Sequence, residues 1–299
     1  MANTVKENNL NGFQQKHLAL IMAVALLPAM AIGQCKSIAT PTVQSSALNQ
    51  QREVWVALPD NYDRSIMYPV LYVLDAETQF NLASALEDAL SGSRQIPEHI
   101  VVGVPHTNKK KERVKDLTFS LSEVNPYGDK ILPPFFNDKN CGGGYQFLNF
   151  LNDELVPFID SAYSTNGFNI LCGHSLSGYF AAFILSGQHS FQAIQLYDPS
   201  IWYASGEATK QLPKRIYPIH LSVYLAFQKN PDFHYQHIKA FGEKLDEMAI
   251  SSYKKETFSA DNHHSVFLPA FLSGIKWLYS DFRQEHFKLK KEQPYAVPN

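Results

Sequence analysis

The run LCGHSLSGYF at residues 171–180 sets Ser175 between Gly173 and Ser177. A serine hydroxyl attacks a carbonyl efficiently only when a neighbouring base takes its proton and a third group orients that base. Later stretches hold both types. ADNHHSVF carries His263 and His264, and the carboxylates Asp198 in YDPSIWY and Asp232 in KNPDF lie between the serine and these histidines. Serine, then acid, then histidine is an order in which an elbow serine finds its partners. The chemistry open to such a set is acyl transfer through a covalent intermediate on the serine.

The elbow pattern G-x-S-x-G is altered here, because Ser177 stands in the place of the second glycine and Gly178 follows one residue late. Small residues are required there so that a strand and the next helix can approach across a sharp turn. Ser177 is small enough to meet that requirement. Ser175 falls at the tip of the turn and Ser177 inside the first helical turn, so Ser175 is the expected nucleophile. The backbone N–H of Leu176, at a helix N-terminus, is the expected oxyanion donor.

Strands and helices must hold these residues, and the hydrophobic periodicity predicts both. REVWVALP, YPVLYVLD, IVVGVP, FNILCG, FQAIQLY, IHLSVYLAF and YKKETFS read as strands. Helical spacing marks residues 82–90, YQFLNFLNDELVPFID, LSGYFAAFILSG, residues 235–249, and VFLPAFLSGIKWLYSDF despite Pro269. The alternation predicts an α/β fold in one domain, with a mostly parallel central sheet and helices on both faces. Ser175 then lies where a strand meets a helix, and the two histidines follow the last strand. The pattern dissolves between Pro105 and Gly144, a segment with the charge run KKKER and the pair Phe135–Phe136. Long loops of this kind are often functional. Phe135 and Phe136, with Trp202 and Tyr203 beyond Asp198, are expected to shape a substrate pocket.

At the amino end, Lys16 and His17 precede an apolar run from Leu18 to Gly33 that contains Pro28. It falls short of the roughly 20 residues a membrane span needs, and Ala31-Ile32-Gly33 has the small-x-small form of a cleavage site. Residues 1–33 are read as a secretory signal whose removal leaves no membrane span, residues 34–50 as a flexible lead-in, 51–285 as the domain and 286–299 as a tail. The expected location is periplasmic or secreted. In an oxidising compartment, with Cys172 in an apolar strand, Cys35 and Cys141 remain as the pair able to bond. Neither cysteines nor histidines show metal-ligand spacing, and no metal or cofactor is expected. With 26 basic against 28 acidic residues there is no field to attract nucleic acid, which excludes that partner class.

Six blocks in order resemble the putative-esterase family of α/β-hydrolases, which includes enterochelin-type and esterase D-type enzymes and feruloyl and acetyl-xylan esterase domains. YPVLYVLDAETQF is similar to its Leu-Asp strand, and IVVGVPHTNKKKERVKDLTF to its valine-rich strand with Asn-Thr, Arg and Asp-Leu-Thr. GGGYQFLNFLNDELVPFID, GHSLSG, YDPSIWY and NHHSV are similar to further blocks. The resemblance implies Ser175 as nucleophile, His263 rather than His264 as base, and the backbone N–H near Ala76 as second oxyanion donor. It also implies an acid: the place of the family's Glu falls on Asn230, and the Asp-Pro-Ser of one branch selects Asp198 over Asp232. The activity so implied is hydrolysis of a small-molecule or oligosaccharide-linked ester. Transfer of the acyl group to an alcohol, and a non-catalytic binding module for a siderophore or glycan, remain the alternatives.

Overall fold

The computed structural model describes residues 37–106, 112–130, 140–213, 220–248, 250 and 252–282. Residues 1–33, read above as a secretory signal, together with Cys35, Phe135, Phe136 and residues 286–299, lie outside the described residues. Ten strands are described: β1 Ile38–Ala39, β2 Thr42–Ser45, β3 Gln50–Glu53, β4 Trp55–Ala57, β5 Tyr68–Leu74, β6 Ile100–Val104, β7 Thr165–His174, β8 Ala193–Tyr197, β9 Ser222–Phe227 and β10 Ser252–Thr257. Eight of them form one sheet in the order β1-β4-β6-β5-β7-β8-β9-β10, and β2 pairs with β3. From β6 to β10 every pairing is parallel, while β4 and β1 continue the sheet antiparallel at one edge.

The inner strands β5 and β6 carry no polar side chain beyond a tyrosine hydroxyl because both of their faces are covered, whereas the edge strand β10, SYKKET, is polar and half-buried. Along β5, Val70, Tyr72 and Leu74 join one buried cluster, and Leu71 and Val73 join the other. The first cluster includes residues of α3 Gly144–Asn149, α4 Val156–Ala162, α5 Leu176–Phe183 and α7 Asp232–Asp246; the second includes residues of α1 Ala76–Gly92 and α8 Phe267–Leu278. A π-helical turn at Phe150–Leu155 links α3 to α4. Pro157, just beyond it, has no N–H to offer the helix ladder. Pro269 is tolerated in α8 because it sits in the first turn, where N–H groups have no helical acceptor.

Two expectations are corrected. Residues 37–50 are not a flexible lead-in: β1 hydrogen-bonds to β4 and closes that edge of the sheet, and β2 turns Val43 and Ser45 inward. REVWVALP is not one strand, because Val54 diverts its N–H to Pro41 O and separates β3 from β4, which join different sheets. Within the Pro105–Gly144 segment, α2 Glu112–Leu117 is helical and Val124 pairs with Lys130. A further short helix, α6 Glu207–Gln211, follows β8.

The chain leaves β5 towards β6 on one side and returns to β7 on the other, so the sheet order reverses between β5 and β7. A crevice forms at the carboxyl ends of strands where order reverses. The register Val73↔Cys172, carried past both strand ends, brings the turn at Asp75–Ala76 alongside the turn at His174–Ser175.

Candidate active site

Ser175 links β7 to α5 with φ 61° and ψ −119°, a conformation rarely adopted by residues with a side chain. Backbone bonds hold it there. Its N–H donates to Tyr197 O at 3.1 Å, and its C=O accepts from Ser200 N and Tyr179 N, each at 2.9 Å. Gly173 is required, since a Cβ there would stand 2.3 Å from Ser177 O. Ser177 is fully buried, and its hydroxyl accepts from His174 N at 3.0 Å and donates to His174 O at 2.8 Å. The altered elbow is therefore braced by its second serine, whose hydroxyl is already committed to the turn. Gly178 lets the helix lie against the next strand end, because a Cβ there would meet Pro199 at 3.0 Å.

His263 Nε2 lies 2.8 Å from Ser175 Oγ, and its Nδ1 lies 2.6 Å from Asp198 Oδ2. The loop that carries it is pinned twice. Asn262 Oδ1 accepts the N–H groups of His264 and Ser265, and His174 Nε2 donates to His263 O at 2.8 Å. Burial, reinforced by His263, lowers the His174 pKa to about 4 and keeps that imidazole neutral. His264 points to solvent beside the site, and Asp232 is exposed at the start of α7, accepting from Gln236.

Asp198 is fully buried at the end of β8, with φ 43°. Its carboxylate also accepts from Gln228 N at 3.2 Å and Gln228 Nε2 at 3.0 Å, and His234 Nε2 stands 3.1 Å from Oδ1. Burial by itself would favour the protonated acid. The His234 and His263 imidazoles and the Gln228 amide beside it outweigh this and hold the carboxyl well below the usual carboxylate range. Asp198, His234 and His263 are also the one group among the described residues with metal-ligand types in reach of each other. The 2.6 Å contact is a hydrogen-bond length, whereas two ligands of a tetrahedral zinc ion stand roughly 3.3 Å apart.

The opposite wall is the turn before α1. Asp75 has φ 52° and ψ 43°, and Arg113 grips its carboxylate with Nε on Oδ1 at 2.6 Å and Nη2 on Oδ2 at 2.9 Å. Behind it, His106 Nε2 is 3.4 Å from Asp75, His106 Nδ1 donates to Asp116 at 2.9 Å, and Arg52 donates to Asp116 at 2.6 Å. This chain of alternating charge fixes the turn from which Ala76 N–H emerges. Alanine fits because Gly103 of β6, where a Cβ would crowd Ala76 at 3.0 Å, leaves it room. Leu176 and Ala76 are each the first residue of a helix, so neither N–H has an acceptor within its helix.

The network makes a pH prediction. Burial would lower the His106 pKa, but hydrogen bonds to Asp116 and Asp75 outweigh it and raise it to about 9. A folded-state value above the unfolded value of about 6.5 contributes stability that is complete below pH 6.5 and lost as pH rises through 9. Urea unfolding at pH 6.5, 8 and 9.5 should show a progressive loss of about 3 kcal/mol, flattened in His106→Gln. A wild-type stability that is level across this range contradicts it.

Ser175, Ser200, Trp202, Tyr127, Asn230 and His264 are among the residues lining a cavity of about 250 Å³ at the serine. Trp202 thus reaches the cavity. Tyr203 does not; it is buried against Tyr179 and donates to Ser120 O and to the free thiol of Cys141, so its expected place in the pocket is corrected. A larger cavity of about 370 Å³ opens at the amino ends of β5 and β7, at the other end of the sheet from these groups.

The chain is similar to known proteins over most of its length. The model of a family described as "Putative esterase" matches residues 45–189. An IroE-like serine hydrolase from Shewanella oneidensis is 30% identical, with a TM-score of 0.72 over 82% of this chain and 81% of that one. The uncharacterized protein YbbA of Bacillus subtilis is 24% identical over 78% of this chain and 94% of its own. The siderophore hydrolase EstA from Aspergillus nidulans, 18% identical, shares the fold with a TM-score of 0.67 over 85% of this chain and 97% of that one.

Proposed function

Since this chain belongs to the putative-esterase family and is by that membership an ester hydrolase, we propose that it works as a serine esterase with Ser175, His263 and Asp198 in the three roles. The observation that carries this reading is the unbroken line from Ser175 Oγ through the His263 ring to Asp198, at 2.8 and 2.6 Å. In it His263 Nε2 takes the hydroxyl proton as Oγ adds to the ester carbonyl. Charge then develops on the carbonyl oxygen and on the imidazole. The N–H groups of Leu176 and Ala76, at two helix N-termini, receive the first, and the ionised Asp198 stabilises the second. Nε2 returns its proton to the departing alcohol, and water, activated by the same base, releases the acid from Ser175.

Among the described residues the cavity lining includes no Lys, Arg, Asp or Glu, and Trp202 and Tyr127 offer flat apolar surface. That composition supports an uncharged ester with a planar or apolar group beside the reacting carbonyl.

A common intermediate is the test. Esters with one acyl group and different alcohols, turned over in a fixed concentration of methanol, should yield a single ratio of free acid to methyl ester. A ratio that varies with the departing alcohol contradicts an acyl-serine. A product that is almost wholly methyl ester would favour acyl transfer over hydrolysis.

A further inference from the structure

His234 belongs to α7, yet it is 2% exposed and lies beneath the site, its ring 5.6 Å from that of His263 and at a near-right angle to it. Its Nδ1 and Nε2 find no aligned hydrogen-bond partner among the described residues, and the polar atom that Nε2 meets is Asp198 Oδ1, at 3.1 Å. A buried imidazole left in this state costs stability that an apolar ring of similar size would not. Its position calls for another reason. Asp198 has four lone-pair directions, and three are taken by Gln228 N, Gln228 Nε2 and His263 Nδ1. His234 Nε2 faces the fourth.

We propose that His234 is a positioning residue for the reaction, its Nε2–H holding Oδ1 so that Oδ2 stays turned to His263. The inference rests on the serine-esterase reading and adds to it a second imidazole on the acid. Gln228 constrains the carboxylate from the side of β9, and His234 constrains it from α7, so the carboxylate cannot swing about its Cα–Cβ bond. The bond is off-line in the resting protein, as catalytic hydrogen bonds often are before substrate tightens them. As His263 becomes charged during attack, a fixed Oδ2 matters most, and the effect of His234 therefore falls on the transition state rather than on binding.

The test compares His234→Phe, which keeps a ring and loses the donor, with His234→Gln, whose Nε2 reaches a similar point. His234→Phe is expected to lower kcat about 10- to 100-fold with KM within twofold and thermal midpoint unchanged or raised, and His234→Gln to regain most of the loss. Combining His234→Phe with Asp198→Asn should add little to the effect of Asp198→Asn alone, because one acts through the other. Unchanged kcat in His234→Phe overturns the proposal. So do losses that multiply in the double variant, or a loss that His234→Gln does not relieve. Turnover that survives Ser175→Ala would instead overturn the esterase reading beneath it, which separates the two failures.

Discussion

Replacing Ser175 with alanine is expected to lower kcat/KM for an ester about 10⁴- to 10⁶-fold while leaving the protein folded. The fold should tolerate it because the bonds that hold the turn at φ 61° come from the backbone of Ser175 and from the Ser177 hydroxyl, and alanine keeps the same Cβ. The chemistry should not, since the hydroxyl is the group His263 Nε2 faces at 2.8 Å. Ser177→Ala reverses the pattern. It removes two hydrogen bonds inside the turn and should reduce stability more than it reduces the rate of a folded molecule. Steady-state kinetics and a thermal melt on both variants check the pair. A Ser175→Ala protein with activity within tenfold of wild type would exclude Ser175 as the nucleophile.

Asp198→Asn carries the second large effect, a loss of about 10⁴ in kcat, or about 5.5 kcal/mol of transition-state stabilisation. The size follows from what surrounds the carboxylate. It meets Gln228 N, Gln228 Nε2, His263 Nδ1 and His234 Nε2, all potential donors. An amide there must turn its NH₂ towards some of them. If His263 Nδ1 is the group displaced, the imidazole is free to take the other tautomer and present a proton instead of a lone pair to Ser175. The charge that stabilises the imidazolium is also lost. Asp232→Asn, by contrast, alters an exposed residue at the start of α7 and should leave kcat within twofold. Comparable losses in the two variants would contradict the place given to Asp198.

Much of the fold is legible in the amino-acid pattern for a physical reason: strands covered on both faces, such as β5 and β6, must be apolar along their length, and they are fully buried. The stretch from residue 37 is not legible, because β1 is two residues long and defined by the edge it covers, and β2 is four residues of which only Val43 is a buried apolar side chain. The choice between Asp198 and Asp232 could not be made from local residue pattern, since each follows a strand and stands next to a proline. What separates them is three-dimensional: a positive φ turns Asp198 inward, and Gln228 and His234 meet it there. His174 stands inside the GHSLSG block, but the sequence shows no role for it or for His234. Each meets a group far off in the chain, His174 donating to the carbonyl of His263 and His234, on α7, standing 3.1 Å from the carboxylate that follows β8. Arg113 and Asp75 were visible only as blocks similar to a family pattern, and the bidentate pair between them explains why both stand where they do.

The most direct measurement is covalent labelling of the folded protein with a fluorophosphonate, followed by peptide mapping of the adduct. The reagent needs an activated hydroxyl and an oxyanion site but no knowledge of the natural ester. The predicted result is one adduct per chain on Ser175, lost in Ser175→Ala, retained in Ser177→Ala and slowed at least 100-fold in His263→Ala. A folded wild-type protein that takes up no label, or takes it up on a residue other than Ser175, would contradict the account.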